Sequence, residues 1–454
     1  MINQNTLKRY FSSGELNCGE FGIEREGIRV LSDGQLATTL HPQTFGNPLK
    51  NSYITTDFSE NQMELITPSF CSAQSAYHFL NKLCQEVALS LPENEYFWTQ
   101  SMPSICPKDK EIPIAQYEGG IDAEEAMVYR QGLLEKYGAK KQLISGIHLN
   151  FSFCNDFLEK LRIVSESELD SKTFKNEVYL KITRNYLQLR WLIIYLTGCS
   201  VGIHETYDNF CGDFMHSIDT VGSLVNSSGV SIRNSAYGYK NLVPIFPDYT
   251  SIDTFVSSVQ KQIEQGTLSN AKELYSQIRL KTGGCGDVLK ELPQNGIKYL
   301  EIRTLDLNPF EPCGIAKEDI KFMQSFILYL LVSPEVVGER WQEEALENEE
   351  KVAKDGRNPH CMLSRNQKQQ NLKVWGLEIL MEMKKMDEAL GLKEMSVLEQ
   401  MEERIVNPKK LYSEKLEKMI RKEGFISSQM KIAMENKAFY QSQKAGELDY
   451  GKNI

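Results

Sequence analysis

Two glutamates lie two residues apart in an apolar, β-branched stretch near the N-terminus of this 454-residue sequence, FGIEREGIRV at 21–30. Because side chains alternate along a strand, Glu24 and Glu26 point to the same face if this stretch is a strand. Two like charges side by side cost free energy unless a cation lies between them. Carboxylate oxygens suit hard divalent ions such as Mg²⁺. The pair therefore predicts either a magnesium site or the solvated, charged face of a strand.

Further polar side chains recur on other strand-like stretches. They are His148 with Asn150, Glu301 with Arg303, and Glu64 with the preceding Asp57. A lone histidine on a strand is usually structural, and an ion pair on a strand contributes little. Recurrence on several strands favours instead one cleft lined by carboxylates, an imidazole and arginines. Such a cleft suits metal-assisted phosphoryl transfer.

Basic residues near this cleft could stabilise a transferring phosphoryl group. The candidates are Arg130, Arg279, Lys281 and Arg303. Each of them, taken alone, is also consistent with ordinary surface charge. The sequence has no Walker A motif, no GxGxxG after a strand and no kinase loop signature. A nucleotide site would therefore have to be built from the acidic sheet and its metal ions.

Composition narrows the classes of function. The sequence has 41% hydrophobic residues and a formal net charge of -10. The negative charge disfavours a nucleic-acid partner, which needs a basic surface. The longest apolar runs, 191–203 and 326–332, are shorter than the roughly 20 residues of a membrane-spanning helix, so we expect no membrane partner. The N-terminus lacks the apolar stretch of a signal peptide, and we expect a cytoplasmic protein.

Ten cysteines are scattered along the sequence without a CxxC pair. Their positions are 18, 71, 84, 106, 154, 199, 211, 285, 313 and 361. This spacing fits neither a zinc ribbon nor a disulfide framework. We therefore predict free thiols, most of them buried.

The order of the predicted elements indicates an α+β fold. Strands are predicted at 21–30, 62–67, 144–153 and 298–306. Helices are predicted at 76–91, at 174–197 and from about 315 onward, with a loop-rich segment before about Asp253. Because strands and helices do not alternate regularly, we favour α+β over a doubly wound fold. We expect one domain, 1–454, with a sheet-rich part to about 315 and a helical part at 316–454.

Six sequence blocks form a specific pattern when they are taken together. They are FGIEREGIRV at 21–30, ITTDFSENQMELITP at 54–68, YRQGL at 129–133, ISGIHLNFS at 144–152, SIR at 231–233 with GY at 238–239, and YLEIRTLDLNPF at 299–310. In this order they resemble the glutamate–cysteine ligases of the bacterial type, including the ligase part of bifunctional glutathione-synthesising enzymes. The similarity is weaker beyond about residue 315.

This resemblance implies a glutamine-synthetase-like fold, in which a curved, mostly antiparallel sheet forms a funnel surrounded by helices. It implies that ATP phosphorylates the side-chain carboxylate of L-glutamate and that the amine of L-cysteine then displaces phosphate. The product would be γ-glutamylcysteine, in the first step of glutathione biosynthesis. The implied cofactor is Mg²⁺, with Mn²⁺ as the alternative ion and ATP as co-substrate.

The resemblance also implies residue roles. The metal ligands would be Glu24, Glu26, Asp57, Glu64, His148 and Glu301, and the catalytic residues Arg303 and Arg130. The substrate pocket would contain Tyr129, His148, Arg233, Tyr239, Tyr275 and Arg303, of which Tyr275 is the least firmly matched. Arg279 and Lys281 are the candidates for binding ATP.

The sequence departs from the resemblance in two places. Residues 198–230 match poorly, so a ligase that joins glutamate to a different amine is the alternative. A catalytically silent binding protein is a third hypothesis, which the crowded carboxylates disfavour because they would cost stability without a metal. The sequence also leaves no room for the second, ATP-grasp module of the bifunctional enzymes. We therefore expect a separate glutathione synthetase to act downstream.

Overall fold

The computed structural model describes residues 2–210, 214–284, 286–335 and 338–443. The strands are β1 (Gly19–Leu31), β2 (Ile54–Thr56), β3 (Gln62–Ile66), β4 (Glu95–Phe97), β5 (Ile147–Phe153), β6 (Gly202–His204), β7 (His216–Ser217), β8 (Ser223–Val225), β9 (Ile278–Lys281), β10 (Tyr299–Leu305), β11 (Met362–Arg365) and β12 (Lys368–Asn371). The helices are α1 (Gln4–Tyr10), α2 (Ser13–Leu16), α3 (Ala73–Ser90), α4 (Gly120–Tyr137), α5 (Ala139–Gln142), α6 (Asn155–Val164), α7 (Ser171–Thr197), α8 (Ile252–Glu264), α9 (Val288–Asn295), α10 (Lys317–Val332), α11 (Trp341–Asp355), α12 (Leu372–Leu390), α13 (Met395–Val406), α14 (Tyr412–Glu423) and α15 (Phe425–Ser442).

The largest sheet in these ranges has seven strands in the order β2-β3-β1-β5-β10-β9, with β4 also paired to β1. Neighbouring strands in this sheet are antiparallel. The predicted α+β class with an antiparallel sheet is therefore confirmed. The long strand β1 lies between β3 and β5, so its residues lie next to residues of both strands.

One face of this sheet is apolar and packs against helices. Strand β5 shows the alternation most clearly, because Ile147, Leu149, Phe151 and Phe153 are buried in one continuous core. The same core includes apolar side chains of α3, α7 and α10. Because side chains on a strand alternate, the opposite face presents Glu24 and Glu26 of β1, Glu64 of β3, His148 of β5 and Glu301 of β10. The apolar packing thus fixes the direction in which the polar side chains point.

The region after the main sheet is mostly helical and packs back onto the N-terminal part. Helix α15 contacts both α3 and β4. Lys437 on α15 donates to the backbone carbonyl of Glu95 at 2.8 Å. Strands β11 and β12 form a hairpin within this region. Helix α15 therefore supports the sheet from the side of β4.

The two longest apolar runs lie in buried elements. Residues 191–203 cover the end of α7 and the start of β6, and residues 326–332 form the end of α10. No helix in the described ranges is long and apolar enough to cross a membrane.

One prediction about the cysteines is wrong. Cys18 and Cys154 form a disulfide with their Cα atoms 6.0 Å apart. They lie directly before β1 and directly after β5, whose paired ends bring together positions 136 residues apart in sequence. The remaining described cysteines are free, and all of them except Cys71 are buried, as predicted. Cys211 and Cys285 lie outside the described residues.

Candidate active site

Four neighbouring strands bring acidic and imidazole side chains to one face of the main sheet. Glu24 and Glu26 lie on β1, Glu64 on β3, His148 on β5 and Glu301 on β10. The register pairs Glu24 with His148 across one edge of β1, and Glu26 with Glu64 across the other. Asp57 follows β2 and reaches the same cavity.

His148 is buried at the centre of this acidic group. Its Nδ1 atom lies 3.0 Å from Oε2 of Glu24 and 3.7 Å from Oε1 of Glu301. Its Nε2 atom lies 3.4 Å from Oε1 of Glu26 and has no hydrogen-bond partner within the described residues. One imidazole therefore contacts three carboxylates from two neighbouring strands.

Two hydrogen bonds orient the carboxylates of β1. The side-chain amide of Asn150 donates to Oε1 of Glu24 at 2.8 Å. The backbone N–H of Gly146 donates to Oε2 of Glu26 at 2.8 Å. Each bond holds one carboxylate oxygen, while the other oxygen of the same group lies near the imidazole. Asn150 and Gly146 thus position groups that lie in the site itself.

Burial and neighbouring charges disfavour ionisation of two further acids. Burial, followed by the charge of Glu26, raises the pKa of Asp57 to about 6. Burial, followed by the charges of Glu24 and Asp57, raises the pKa of Glu64 well above its ordinary value. A cation among these carboxylates would favour their ionised forms.

The donor set fits a divalent metal ion. One ligand atom each from Glu24, Glu64 and His148 lies within 4.8 Å of the other two. Carboxylate oxygens suit Mg²⁺ and Mn²⁺. The buried Nε2 atom of His148, which has no hydrogen-bond partner in the described ranges, agrees with a site that is completed by a ligand.

A basic group lies directly beside the acidic one. Arg303 donates from Nη1 to Oε1 of Glu301 at 2.5 Å, and Nζ of Lys281 lies 2.8 Å from Oε2 of Glu301. Burial favours the neutral form of Glu301, but the charges of Arg303 and Lys281 outweigh it and hold the pKa of Glu301 well below its usual range. Burial works against the charge of Arg303 as well, and Glu301 nevertheless raises the pKa of Arg303. These groups therefore remain charged.

Two other arginines are fixed by backbone carbonyl groups. Arg279 donates to the carbonyl of Lys272 at 2.8 Å and to that of Leu274 at 3.2 Å. Arg130 donates to the carbonyl of Asp57 at 2.5 Å. Carbonyl oxygens orient a guanidinium group but do not cancel its charge. Both arginines can therefore still attract an anion.

These groups surround one cavity of about 290 Å³. Its lining consists of Glu24, Glu26, Asp57, Phe58, Glu64, Tyr129, Arg130, Leu133, Gln142, His148, Tyr239, Lys272, Tyr275, Arg279, Lys281, Glu301 and Arg303. Every residue that the sequence analysis assigned to a site is in this lining, except Arg233. The structure thus brings together residues from positions 24 to 303.

Arg233 lies in a small adjoining cavity. The residues that line this second cavity are Arg233, Asn234, Tyr239, Tyr275, Ser276, Gln277 and Arg303. Tyr239, Tyr275 and Arg303 line both cavities, and the rings of the two tyrosines are 4.3 Å apart. Arg233 therefore lies beside the main cavity, with which its own cavity shares three lining residues.

Several residues of the site had no assigned role in the sequence analysis. Asn150 was placed on the face of His148 by strand alternation, but its bond to Glu24 depends on the pairing of β1 with β5. Gln142 and Lys272 line the cavity from outside the strands, where no periodic pattern marks them. Neither residue has a sequence signal that distinguishes it from other polar residues outside the strands.

An antiparallel sheet that gathers carboxylates, one imidazole and several cationic groups around a cavity has the donor groups that metal-assisted phosphoryl transfer uses. Comparison with known proteins identifies the group more closely. The family model of glutamate-cysteine ligase matches residues 5–244 and 243–352. The chain belongs to the glutamate-cysteine ligase family.

Curated relatives are bifunctional glutathione biosynthesis proteins. The protein from Clostridium perfringens is 38% identical over 442 residues, which cover 96% of this chain and 55% of that protein. The protein from Listeria monocytogenes is 37% identical, with coverage of 92% of this chain and 54% of that protein. The chain thus spans about half the length of the curated relatives it matches.

A solved structure shows the same fold over nearly the whole chain. The glutamate–cysteine ligase of Francisella tularensis, in complex with AMP, has a TM-score of 0.87 and 26% identity. The alignment covers 94% of this chain and 90% of that one. The bifunctional glutathione synthetase of Pasteurella multocida has a TM-score of 0.82 and 29% identity, with coverage of 96% and 54%.

Proposed function

We propose that this chain catalyses the ATP- and Mg²⁺-dependent ligation of the γ-carboxylate of L-glutamate to the amine of L-cysteine. ATP phosphorylates the carboxylate to γ-glutamyl phosphate, and the amine displaces phosphate to give γ-glutamylcysteine. The observation that best supports the proposal is a single cavity with acidic groups beside Arg279, Lys281 and Arg303. Membership of the family and the AMP complex of the Francisella relative support the same reaction.

The acidic side of the cavity is the proposed metal site. Glu24, Glu64 and His148 would hold Mg²⁺ or Mn²⁺, with Glu26, Asp57 and Glu301 around them. When it is bound, the metal neutralises the charge of the ATP phosphates. Asn150 and Gly146 hold the carboxylates of Glu24 and Glu26 in place before ATP arrives. This preorganisation lowers the cost of gathering like charges.

The basic side of the cavity binds the anionic groups of the reaction. Arg303 stabilises the charge of the transferring phosphoryl group, because Glu301 keeps its guanidinium charged and oriented. Arg279 and Lys281 bind the remaining ATP phosphates. Arg130 is fixed to the Asp57 carbonyl and contributes positive charge near glutamate. Each of these side chains acts by position and charge rather than by forming a bond.

The aromatic side of the cavity accepts the amine substrate. Tyr129, Tyr239 and Tyr275 form a wall, and burial raises the pKa of all three phenols. The rings therefore remain neutral and give an amphipathic surface that suits a small thiol side chain. Arg233 lines the adjoining cavity and would bind the α-carboxylate of cysteine. His148 and Arg303 would be the other polar members of this pocket.

The reaction is tested by measuring ADP release with ATP, Mg²⁺, L-glutamate and each amino acid in turn. We expect L-cysteine to stimulate ADP release most strongly and γ-glutamylcysteine to accumulate. No stimulation by cysteine would contradict the proposal. Stronger stimulation by a different amine would select the alternative ligase, which joins glutamate to that amine.

A matched pair of variants on β1 tests the catalytically silent alternative. Glu24→Gln should weaken Mg²⁺-dependent nucleotide binding by at least about tenfold, because it removes a proposed ligand. Glu20→Gln changes an exposed glutamate on the same strand and should leave binding unchanged. Unchanged binding in Glu24→Gln would favour a silent binding protein.

The separate downstream synthetase and the cytoplasmic location remain predictions from the sequence.

A further inference from the structure

Arg233 is held in a buried position that leaves part of its guanidinium group unpaired. Only 6% of the residue is exposed. Nη2 donates to the backbone carbonyl of Arg303 at 2.8 Å, and Nη1 lies 4.0 Å from Oδ1 of Asp306. Nε has no hydrogen-bond partner within the described residues. Burying a charged donor without a partner is costly, and Arg233 also lines the small cavity beside Tyr239, Tyr275 and Arg303. An anionic ligand in this cavity would supply the missing partner.

The backbone of Arg233 is fixed from behind by Asp306. The Asp306 carboxylate accepts hydrogen bonds from the hydroxyl of Ser200 at 2.7 Å and from that of Ser231 at 3.0 Å. The Ser200 hydroxyl in turn accepts a bond from the backbone N–H of Arg233 at 3.2 Å. The backbone of Arg233 is therefore anchored, and only its side chain can move.

The space that the guanidinium occupies exists because residue 146 has no side chain. A Cβ atom at Gly146 would lie 2.1 Å from Nη2, 2.3 Å from Cζ and 2.5 Å from Nε of Arg233. The φ angle of Gly146 is not in the left-handed region, so other residues could adopt its backbone conformation. Space, and not backbone conformation, is therefore the reason for glycine at this position.

Gly146 also contacts the acidic side of the cavity. Its N–H donates to the Glu26 carboxylate, and its carbonyl accepts from the backbone N–H of Glu26 at 3.0 Å. These bonds use only backbone atoms of Gly146, and an alanine would retain them. A single position thus lies between the proposed metal site and Arg233. A methyl group there would displace the Arg233 guanidinium and leave the backbone bonds to Glu26 in place.

We propose that Gly146 is a positioning residue for the amine substrate: its missing side chain lets the Arg233 guanidinium lie where it binds the α-carboxylate of the acceptor amino acid. This inference rests on the proposed ligase function and adds a determinant of acceptor binding. A larger residue at 146 displaces the guanidinium and weakens acceptor binding, while the carboxylates of the metal site keep their positions.

The test is steady-state kinetics of Gly146→Ala with each substrate varied in turn. We expect the KM for L-cysteine to rise about tenfold, with kcat, the KM for ATP and the Mg²⁺ dependence within about twofold of the wild type. Gly132→Ala is the matched control, since a Cβ there would meet no atom within 4 Å. Its kinetic constants should match those of the wild type.

A double-mutant cycle separates positioning from general damage. In an Arg233→Ala background, adding Gly146→Ala should change the KM for cysteine by less than about twofold, because no guanidinium remains to be displaced. An equal tenfold effect in both backgrounds would overturn the inference, as would an unchanged KM in Gly146→Ala alone. If Gly146→Ala does not fold, adding Arg233→Ala should restore folding, and failure to do so also overturns it.

The wild-type assay keeps this test distinct from that of the proposed function. Absence of cysteine-stimulated ADP release in the wild type contradicts the ligase itself and the inference with it. Normal release in the wild type, combined with a Gly146→Ala variant that has an unchanged KM for cysteine, contradicts the role of Gly146 alone.

Discussion

Strand β1 contains two buried groups of charges, and they differ in how completely the charges are paired. In its C-terminal half, Arg29 donates to Oε2 of Glu95 at 2.8 Å and to the carbonyls of Thr39 and Glu60 at 2.7 and 3.1 Å. The side chains of Arg29 and Glu95 are 0% and 1% exposed. A buried ion pair persists only when hydrogen bonds of this kind compensate its lost hydration.

The N-terminal half of β1 has the opposite arrangement. Glu24 and Glu26 lie among further acids, and the pKa values of Asp57 and Glu64 are raised by burial and by these neighbours. These acids are also less buried than Arg29 and Glu95, since the side chains of Glu24 and Glu26 are 15% and 10% exposed. The difference is that Arg29 and Glu95 neutralise each other, whereas the second group gathers more carboxylates than its cationic neighbours pair, and a bound cation would offset the excess. Completeness of pairing therefore separates structural charges from those that bind a ligand.

Breaking the ion pair of Arg29 with Glu95 should have the largest effect on the stability of the protein. Glu95→Ala leaves the Arg29 guanidinium buried without its carboxylate, which should lower the free energy of unfolding by about 3 to 5 kcal/mol. Urea unfolding followed by circular dichroism measures this loss. Arg340→Ala is the control, because it breaks an ion pair in which Arg340 is 70% exposed, and it should not change stability measurably. Equal urea midpoints of unfolding for Glu95→Ala and Arg340→Ala would contradict the difference expected between a buried and an exposed ion pair.

Removing one acid from the unpaired group should have effects of opposite sign on stability and on binding. Glu64→Gln removes a charge from a crowded set and should stabilise the metal-free protein by about 1 kcal/mol. The same change should weaken Mg²⁺ binding by about a hundredfold, because a proposed ligand is lost. Urea unfolding in chelator and Mg²⁺ titration by calorimetry measure the two quantities. A loss of metal-free stability would show that Glu64 is structural.

Much of this contrast follows from the sequence, because strand alternation is a local property. The patterns in β1, β5 and β10 predict which side chains share a face, and the structure confirms each of these faces. Strand alternation does not predict the order of the strands in the sheet. The contact of Glu24 with His148, and the disulfide of Cys18 with Cys154, both arise from the pairing of β1 with β5.

Two elements with weak periodicity are not predicted from the sequence. Strand β9 has only four residues, Ile278–Lys281, which is too short for a pattern of alternation to stand out. Helix α4 buries only Ala123, Leu133 and Tyr137, so its apolar face is narrow. Both elements nevertheless supply residues to the site, among them Arg279 on β9 and Arg130 on α4. Strand β9 forms by pairing with β10, which its own four residues do not predict.

Removing a hydrogen bond that orients Glu24, without changing the charge of the acidic group, should have a smaller effect on Mg²⁺ binding. Asn150→Ala removes the hydrogen bond to Glu24 and should weaken Mg²⁺ binding by about tenfold, the usual cost of losing a partner that orients a ligand. Ser152→Ala is the matched control on the same face of β5, since its hydroxyl contacts the exposed Glu20 at 3.5 Å. Calorimetric titration with Mg²⁺ compares the variants. Equal losses in both would indicate general disturbance of β5.

The smallest predicted effect is the pH dependence of the unpaired group. With the pKa of Asp57 at about 6, its carboxylate is nearly all ionised at pH 7 and half ionised at pH 6. Because a metal binds the ionised form, Mg²⁺ affinity should fall about twofold between pH 7 and pH 6 through Asp57 alone.

Stability of the metal-free protein should change in the opposite direction. The pKa of Asp57 is higher in the folded than in the unfolded chain, so this residue lowers stability as the pH rises from about 4 to about 6. Calorimetric Mg²⁺ titrations and unfolding curves in chelator across this range test both signs. Asp57→Asn should reduce both dependences and leave the part that the raised pKa of Glu64 contributes. If Asp57→Asn left both dependences unchanged, the prediction for Asp57 would be wrong.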